Sequence, residues 1–173
     1  MGIEKRIAIT LPGGPKLEDT IRRIRWAEDN DIPDVWFSDA GAPDTLTLIA
    51  AIAHFTKRLR IGVAVTPVYT RTPSVIAASA YVIAQLLPGR FILGLGSSSQ
   101  TIMGQWNGIA LDKPLTRVKE TVDLVRHILL GTKTNFDGET LHSHGYRQAP
   151  LGHPPPIYLA ALRAKMIEMA AEF

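Results

Sequence analysis

Four groups of residues carry side chains that could do chemistry. Asp39 closes the run Trp36-Phe37-Ser38-Asp39, and a carboxylate at the end of a buried strand can hold a proton or bond the polar edge of a flat ligand. The same residue type also caps turns and helices. Gly94-Leu95-Gly96 runs into Ser97-Ser98-Ser99-Gln100; two glycines at a strand end let a planar ring approach the backbone, or simply allow tight packing. The segment lacks the third glycine and the immediate helix of a dinucleotide fingerprint. Its serines lack a neighbouring base and the elbow of a serine hydrolase. Trp106, within Gln105-Trp106-Asn107-Gly108, is either a core anchor or a lid over a flat ligand. His142 and His144 form a His-x-His pair, with His153 beyond it. Such a pair can bind metal, but the sequence pattern offers no third ligand and none is assigned. There is no cysteine, which excludes disulfides, thiolate metal sites and a cysteine nucleophile.

These groups need elements to position them. Apolar strand patterns begin near residues 6, 34, 60 and 90, a spacing of about thirty residues, which is one βα unit with short connections. Strands are expected over 6–11, 34–39, 59–66 and 90–96, and a fifth over 157–162. Helices are expected over 17–29, from Asp44 or Thr45 to Arg58, over 74–87, 114–131 and from Ala164 to Phe173. Residues 97–113 are expected to form a long loop. Phe136-Asp137-Gly138-Glu139 is expected to turn a small extended excursion over 134–147. Pro67 and Pro73 bracket a segment expected to leave the sheet in one fixed shape.

Parallel strands joined by right-handed crossovers leave two architectures, an open doubly wound sheet or a closed (β/α)8 barrel. Both place chemistry at the C-terminal ends of the strands. That selects Thr10 and Pro12, Ser38 and Asp39, Ala64, Val65 and Thr66, and Gly96, Ser97 and Ser98.

The 173 residues, 46% apolar and 20% charged, are those of an ordinary globular domain with one sizeable core. The charge is +3 and the pI about 9.3, yet Lys and Arg are scattered without stripe or aromatic interleaving, so no nucleic-acid partner is expected. No apolar run reaches the roughly 18 residues of a membrane span, and the charged start lacks the apolar region of a secretory signal. A cytoplasmic protein without membrane contact is expected. A barrel needs eight strands and about 250 residues, so five strand patterns point to part of a longer protein.

Trp36-Phe37-Ser38-Asp39, Val65-Thr66-Pro67-Val68-Tyr69-Thr70-Arg71-Thr72-Pro73 and Pro88-Gly89-Arg90-Phe91-Ile92-Leu93-Gly94-Leu95-Gly96-Ser97 together resemble the bacterial luciferase-like superfamily. Within it the chain is most similar to oxidoreductases that use the deazaflavin coenzyme F420, of the methylenetetrahydromethanopterin reductase type. The likeness continues through Trp106-Asn107-Gly108, Pro114 with Arg117 and Glu120, the Gly138 hairpin, and 156–161. It implies the α/β (β/α)8 TIM-barrel type, incomplete here, with about five βα units forming the N-terminal part of one barrel domain over 1–173. It also implies hydride transfer between F420 and a small organic substrate, with an FMN-dependent monooxygenase or a non-catalytic barrel fragment as alternatives, and a homodimer in the full-length protein. By motif match a non-prolyl cis peptide falls at Ala64-Val65, backing the coenzyme ring. Asp39 becomes the catalytic residue, and Thr10, Asp39, Ala64, Val65, Thr66, Gly94, Gly96, Ser97, Ser98 and Trp106 become coenzyme contacts. The family often has His after the acidic residue, whereas this chain has Ala40.

Overall fold

The computed structural model describes residues 6–41 and 43–173. The charged start at 1–5 and Ala42, inside the turn expected at 40–43, lie outside them. The chain alternates as expected. The strand β1 (Ala8–Thr10) leads to helix α1 (Leu17–Asp29), then β2 (Asp34–Phe37), α2 (Thr45–Ile52), β3 (Arg60–Val63), the two-residue β4 (Thr66–Pro67), α3 (Pro73–Leu86) and β5 (Phe91–Gly96). After β5 come α4 (Pro114–Leu129), the short strands β6 (Asn135–Asp137) and β7 (His142–His144), β8 (Ile157–Leu159) and α5 (Ala164–Ala171).

The main sheet is parallel. The pairs β1–β2, β2–β3 and β3–β5 follow in order, β4 pairs the C-terminal half of β5, and β8 pairs β5 as well. Leu95 is in register with both Thr66 and Leu159, so β3 and β4 share one flank of β5 and β8 takes the other. Five strand positions therefore run in sequence order, the arrangement of the first part of a (β/α)8 barrel.

Register sorts the side chains onto two faces. Val35, Phe37, Ile61, Val63, Phe91, Leu93 and Leu95 join the core that the helices cover. That layer includes Ile24 and Ala27 of α1, Ile49 and Ile52 of α2, Ile76 and Ala80 of α3 and Val122 and Val125 of α4, all fully buried. Alternate residues Asp34 and Trp36, with Arg60, face the other way. Asp34 is held there by Arg60 (2.5 and 3.1 Å) and Arg6 (3.1 and 3.2 Å). Burial opposes its charge, but the two guanidinium groups outweigh it and hold the carboxyl below its ordinary value. Trp36 meets the Tyr158 ring at 5.7 Å.

Four elements differ from expectation. Helix α2 ends at Ile52 and gives way to a 3-10 turn, Ala53–Phe55, so Lys57 and Arg58 do not sit in its last turn. Their N–H groups, with that of Leu59, instead donate to the Glu28 carboxylate at 2.8–3.1 Å. Pro67 does not take the chain out of the sheet: it needs no ladder donor at that position, and the following Val68 N–H donates to Gly96 O at 2.9 Å. The long loop contains a π-helical turn, Thr101–Trp106. The last strand stops at Leu159 rather than at residue 162. No helix of the described residues is long and apolar enough to cross a membrane.

Candidate functional site

At the C-terminal ends of β2, β3 and β5 the chain makes three abrupt departures. After β2, the 38–44 connection carries Asp39 to the start of α2, where Thr45 Oγ1 donates to Ser38 O (2.9 Å) and the Thr45 N–H approaches Asp39 Oδ1 at 3.5 Å. The Asp39 side chain is only 6% exposed. Its other oxygen accepts from Arg71 Nη1 at 2.9 Å, and the same guanidinium pairs with Asp44. Arg71 thus pins both ends of the β2–α2 connection to the segment that follows β4.

After β3, the Ala64-Val65 peptide is cis, at the bond singled out by the resemblance. Ala64 is exposed and Val65 half-buried. A Cβ built on Gly94 would stand 1.9 Å from Val63 O, and one on Gly96 would stand 2.7 Å from Val65 Cγ2. The two glycines are therefore where they are because the β3–β4 connection lies against them. This is the packing alternative, and it places them beneath Val65.

After β5, Ser98 adopts a positive φ of 65°, and the Ser99 hydroxyl accepts from Ile102 N–H at 3.3 Å while its carbonyl accepts from Met103 N–H at 2.8 Å. The serine run so starts the π-helical turn. Met103 anchors that turn with no exposed surface, whereas Trp106 is 63% exposed. Of the two readings of Trp106, core anchor is excluded.

The β2–α2 connection, β4 with the segment that follows it, and the π-helical turn after β5 border a cleft of about 420 Å³, within the size range of coenzyme and small-molecule pockets. Its lining takes charged and polar groups from Asp39, Asp44, Thr70, Arg71 and Asn107 and apolar ones from Pro67, Ile102, Met103 and Trp106. Asn107 Nδ2 donates to Ile102 O at 2.6 Å and Thr70 Oγ1 to Pro67 O at 3.1 Å, so both polar groups serve the frame. The cleft combines apolar lining residues with a carboxylate pair bridged by Arg71.

Of the residues selected from sequence, Asp39 and Trp106 line this cleft together. Thr10 lies exposed on β1, and Ala64, Val65, Gly94, Gly96, Ser97 and Ser98 do not line the cleft. Thr66 is wholly buried, in register with Leu95 on the helix-covered face, and its hydroxyl has no partner among the described residues. Its side chain gives no wall to a ligand, because the bulge at 64–65 turns it toward the core side. Arg71, Asp44 and Met103 were not selected. The signal for Arg71 was an arginine between two prolines at a strand exit, with carboxylates five residues apart on the neighbouring connection.

Sequential parallel strands with helices on one face and a cleft at their C-terminal ends define the barrel class of α/β proteins. Residues 4–173 match the family described as luciferase-like monooxygenase, and the chain belongs to that family. It is 33% identical over 163 residues to a 5,10-methylenetetrahydromethanopterin reductase of Methanolobus tindarius, covering 94% of this chain and 49% of that one. Its backbone is similar to the coenzyme F420 dependent tetrahydromethanopterin reductase of Methanopyrus kandleri, with a TM-score of 0.84 at 22% identity over 99% of this chain and 54% of that one. It is also similar to the oxygenating constituent of 3,6-diketocamphane monooxygenase of Pseudomonas putida in complex with FMN, with a TM-score of 0.72 at 19% identity over 92% and 51%. The chain spans about half the length of the curated relatives it matches.

Proposed function

We propose that this chain forms the ring-binding part of an oxidoreductase that moves a hydride between coenzyme F420 and a small organic substrate. The observation that carries the reading is the cleft where Asp39, pinned by Arg71, faces Trp106 and Met103 at the strand ends. A flat ring fits the apolar wall of Pro67, Ile102, Met103 and Trp106, and its polar edge finds Asp39. An anionic tail does not fit as well, because Arg71, the cleft's cation, is already shared by two carboxylates.

The coenzyme, when bound, supplies the hydride acceptor or donor carbon. The chain's residues do the rest. Asp39, fixed through one oxygen by Arg71, keeps the other for a hydrogen bond to the ring edge or for holding a proton near it. Ala64 and Val65, raised over Gly94 and Gly96, lie outside the cleft's lining, and Pro67 is the strand residue beyond them that faces it. Trp106 covers the open side and excludes water from the transfer. The whole protein is proposed to pair as a homodimer; Val75 and Val82, seven residues apart on α3 and half-exposed, offer an apolar stripe for it.

Relatives described as F420-dependent favour the deazaflavin. A second reading, an FMN-dependent monooxygenase, is favoured by the FMN-bound structural neighbour and by Ala40, where the family resemblance leads one to expect His. Titrating the 173-residue chain with F420 and with FMN, following coenzyme fluorescence, separates them. The proposal expects saturable F420 binding that Trp106→Ala weakens at least about tenfold, in keeping with the 1–3 kcal/mol that a base-on-aromatic stack contributes. Tighter binding of FMN would transfer the assignment to the second reading, and binding of neither would overturn both.

A further inference from the structure

Much of the cleft's lining comes from two segments that must be held at a fixed spacing. Pro67, Thr70 and Arg71 belong to β4 and the turn that follows it, whereas Ile102, Met103, Trp106 and Asn107 belong to the segment after β5. That second segment bonds chiefly to itself. Met103 N–H donates to Ser99 O at 2.8 Å, Gly108 N–H to Gly104 O at 3.1 Å and Ile109 N–H to Met103 O at 2.8 Å, and the Asn107 amide closes the turn on Ile102 O. These bonds shape the π-helical turn, but none of them sets its distance from Arg71.

Among the described residues, one hydrogen bond leaves residues 97–112 for the rest of the fold: the Tyr69 hydroxyl donates to Asp112 O at 2.5 Å. Tyr69 stands between Pro67 and Arg71 without lining the cleft itself. Its ring packs against the buried core, and tyrosine suits such a place because the ring can be buried while the O–H reaches an acceptor. A second contact steadies the ring. The Arg117 guanidinium, from the first turn of α4, lies 5.5 Å from the ring centre and donates through Nη1 to Thr140 O at 2.6 Å, so the hairpin holds the cation in place. Burial pushes the Tyr69 phenol above its ordinary value and outweighs the nearby Arg117 charge. The group is therefore an O–H donor at neutral pH.

We propose that Tyr69 is a positioning residue of the cleft: through its bond to Asp112 it holds the segment that carries Trp106 at the spacing from Arg71 that admits a flat ring. The inference rests on the coenzyme reading above and gives Tyr69 a role through Trp106 rather than a contact with the coenzyme. Met103, with no exposed surface, also anchors the segment. Apolar burial is non-directional, however, so it fixes the depth of the turn and leaves its tilt to the hydrogen bond, which has a preferred direction.

Tyr69→Phe is the test, since it keeps the ring and the Arg117 contact and removes only the donor. In the free 173-residue chain, amide exchange at Met103, Gly108 and Ile109 is expected to quicken by about two- to tenfold, the range for loss of one ordinary hydrogen bond. Exchange at Thr134 and Gly145 of the hairpin and the far-ultraviolet circular dichroism are expected to stay as in the parent, which shows that the fold is intact. In the fluorescence titration F420 affinity should fall by a similar factor. A double-mutant cycle decides whether that loss runs through Trp106: with Trp106→Ala already in place, Tyr69→Phe should change F420 affinity by less than about twofold. Unaltered exchange in Tyr69→Phe would overturn the tether. Unaltered F420 affinity, or a fully additive loss alongside Trp106→Ala, would overturn the positioning role and leave Tyr69 a packing residue. If the parent chain binds no F420, the coenzyme reading falls and the positioning role falls with it. Failure of the tether shows instead in the exchange of the free chain, so the two failures are told apart.

Discussion

Arg71 shows how little of a site's electrostatics can be seen before the chain is folded. Asp39 was legible because a carboxylate ending an apolar strand is conspicuous. Its partner was not, because Arg71 meets it only after α2 and β3 have intervened. We expect Arg71→Met to free the 38–44 connection and weaken coenzyme binding in the titration above, with Arg71→Lys recovering part of the effect, since an ammonium cannot reach both Asp39 and Asp44 in fork geometry. The glycines of β5 give a second expectation. A methyl at position 94 would collide with the Val63 carbonyl at 1.9 Å, and neither partner is a side chain able to swing aside. Gly94→Ala should cost about 1–3 kcal/mol in urea unfolding. Gly152→Ala, whose Cβ meets nothing within 4 Å, should stay within about 0.5 kcal/mol. Equal losses at both positions would show that the bulge is not what requires glycine in β5.

Elements whose apolar period is strong were legible to the residue: α1 over 17–29 and the start of α4 at Pro114 follow from helical spacing and from proline at the first helical position. The misses share a cause. The 3-10 turn after Ile52 and the π-helical turn at Thr101–Trp106 have no distinctive period of their own and are set by where their anchors, Glu28 and Met103, find partners. The β6–β7 hairpin was legible from its turn, but its anchor was not. Glu120 is buried; burial raises the cost of its charge, yet the Thr140 hydroxyl and the N–H groups of Glu139, Thr140 and Leu141 more than offset this and hold its carboxyl below the ordinary 4.5. The folded hairpin therefore binds that proton more weakly than the unfolded chain. Its stabilisation is complete above pH 4.5 and is lost as the pH falls through the lower folded value. Amide exchange at Glu139 and Thr140 should accelerate in that acid range before the core opens. In Glu120→Gln that pH step should be absent, and the hairpin should already be loosened by about 1–3 kcal/mol at neutral pH, because an amide cannot accept all the N–H and hydroxyl donors. An unchanged step in the variant would assign it to Asp34 or Glu28, whose carboxyls are also held low.

Across the molecule, helices cover one face of the parallel sheet, and register leaves the other with Asp34, Arg60, Trp36 and Tyr158. In barrels of this class that second face is the interior, filled by layers from all eight strands, whereas here five strand positions supply it. Among the described residues β1 pairs only β2, and β8 pairs only β5. Each outer flank therefore presents unpaired N–H and C=O groups, the usual template for pairing with another chain. Apolar surface lies along the same border: Tyr158 is 47% exposed, and Leu162, just past β8, is 95% exposed. The sequence could reveal that five strand patterns fall short of a barrel, but not which side chains the shortfall uncovers, since that depends on register. We expect the 173-residue chain to associate through these flanks, its sedimentation coefficient rising with concentration over the micromolar range. Tyr158→Lys with Leu162→Lys should hold it monomeric, because charge on an outer strand opposes edge pairing, and should leave unfolding cooperative, because neither side chain is in the helix-covered core. If the doubly substituted chain associates as strongly as the parent, the contact lies elsewhere, and the half-exposed α3 stripe of Val75 and Val82 is the surface to change next.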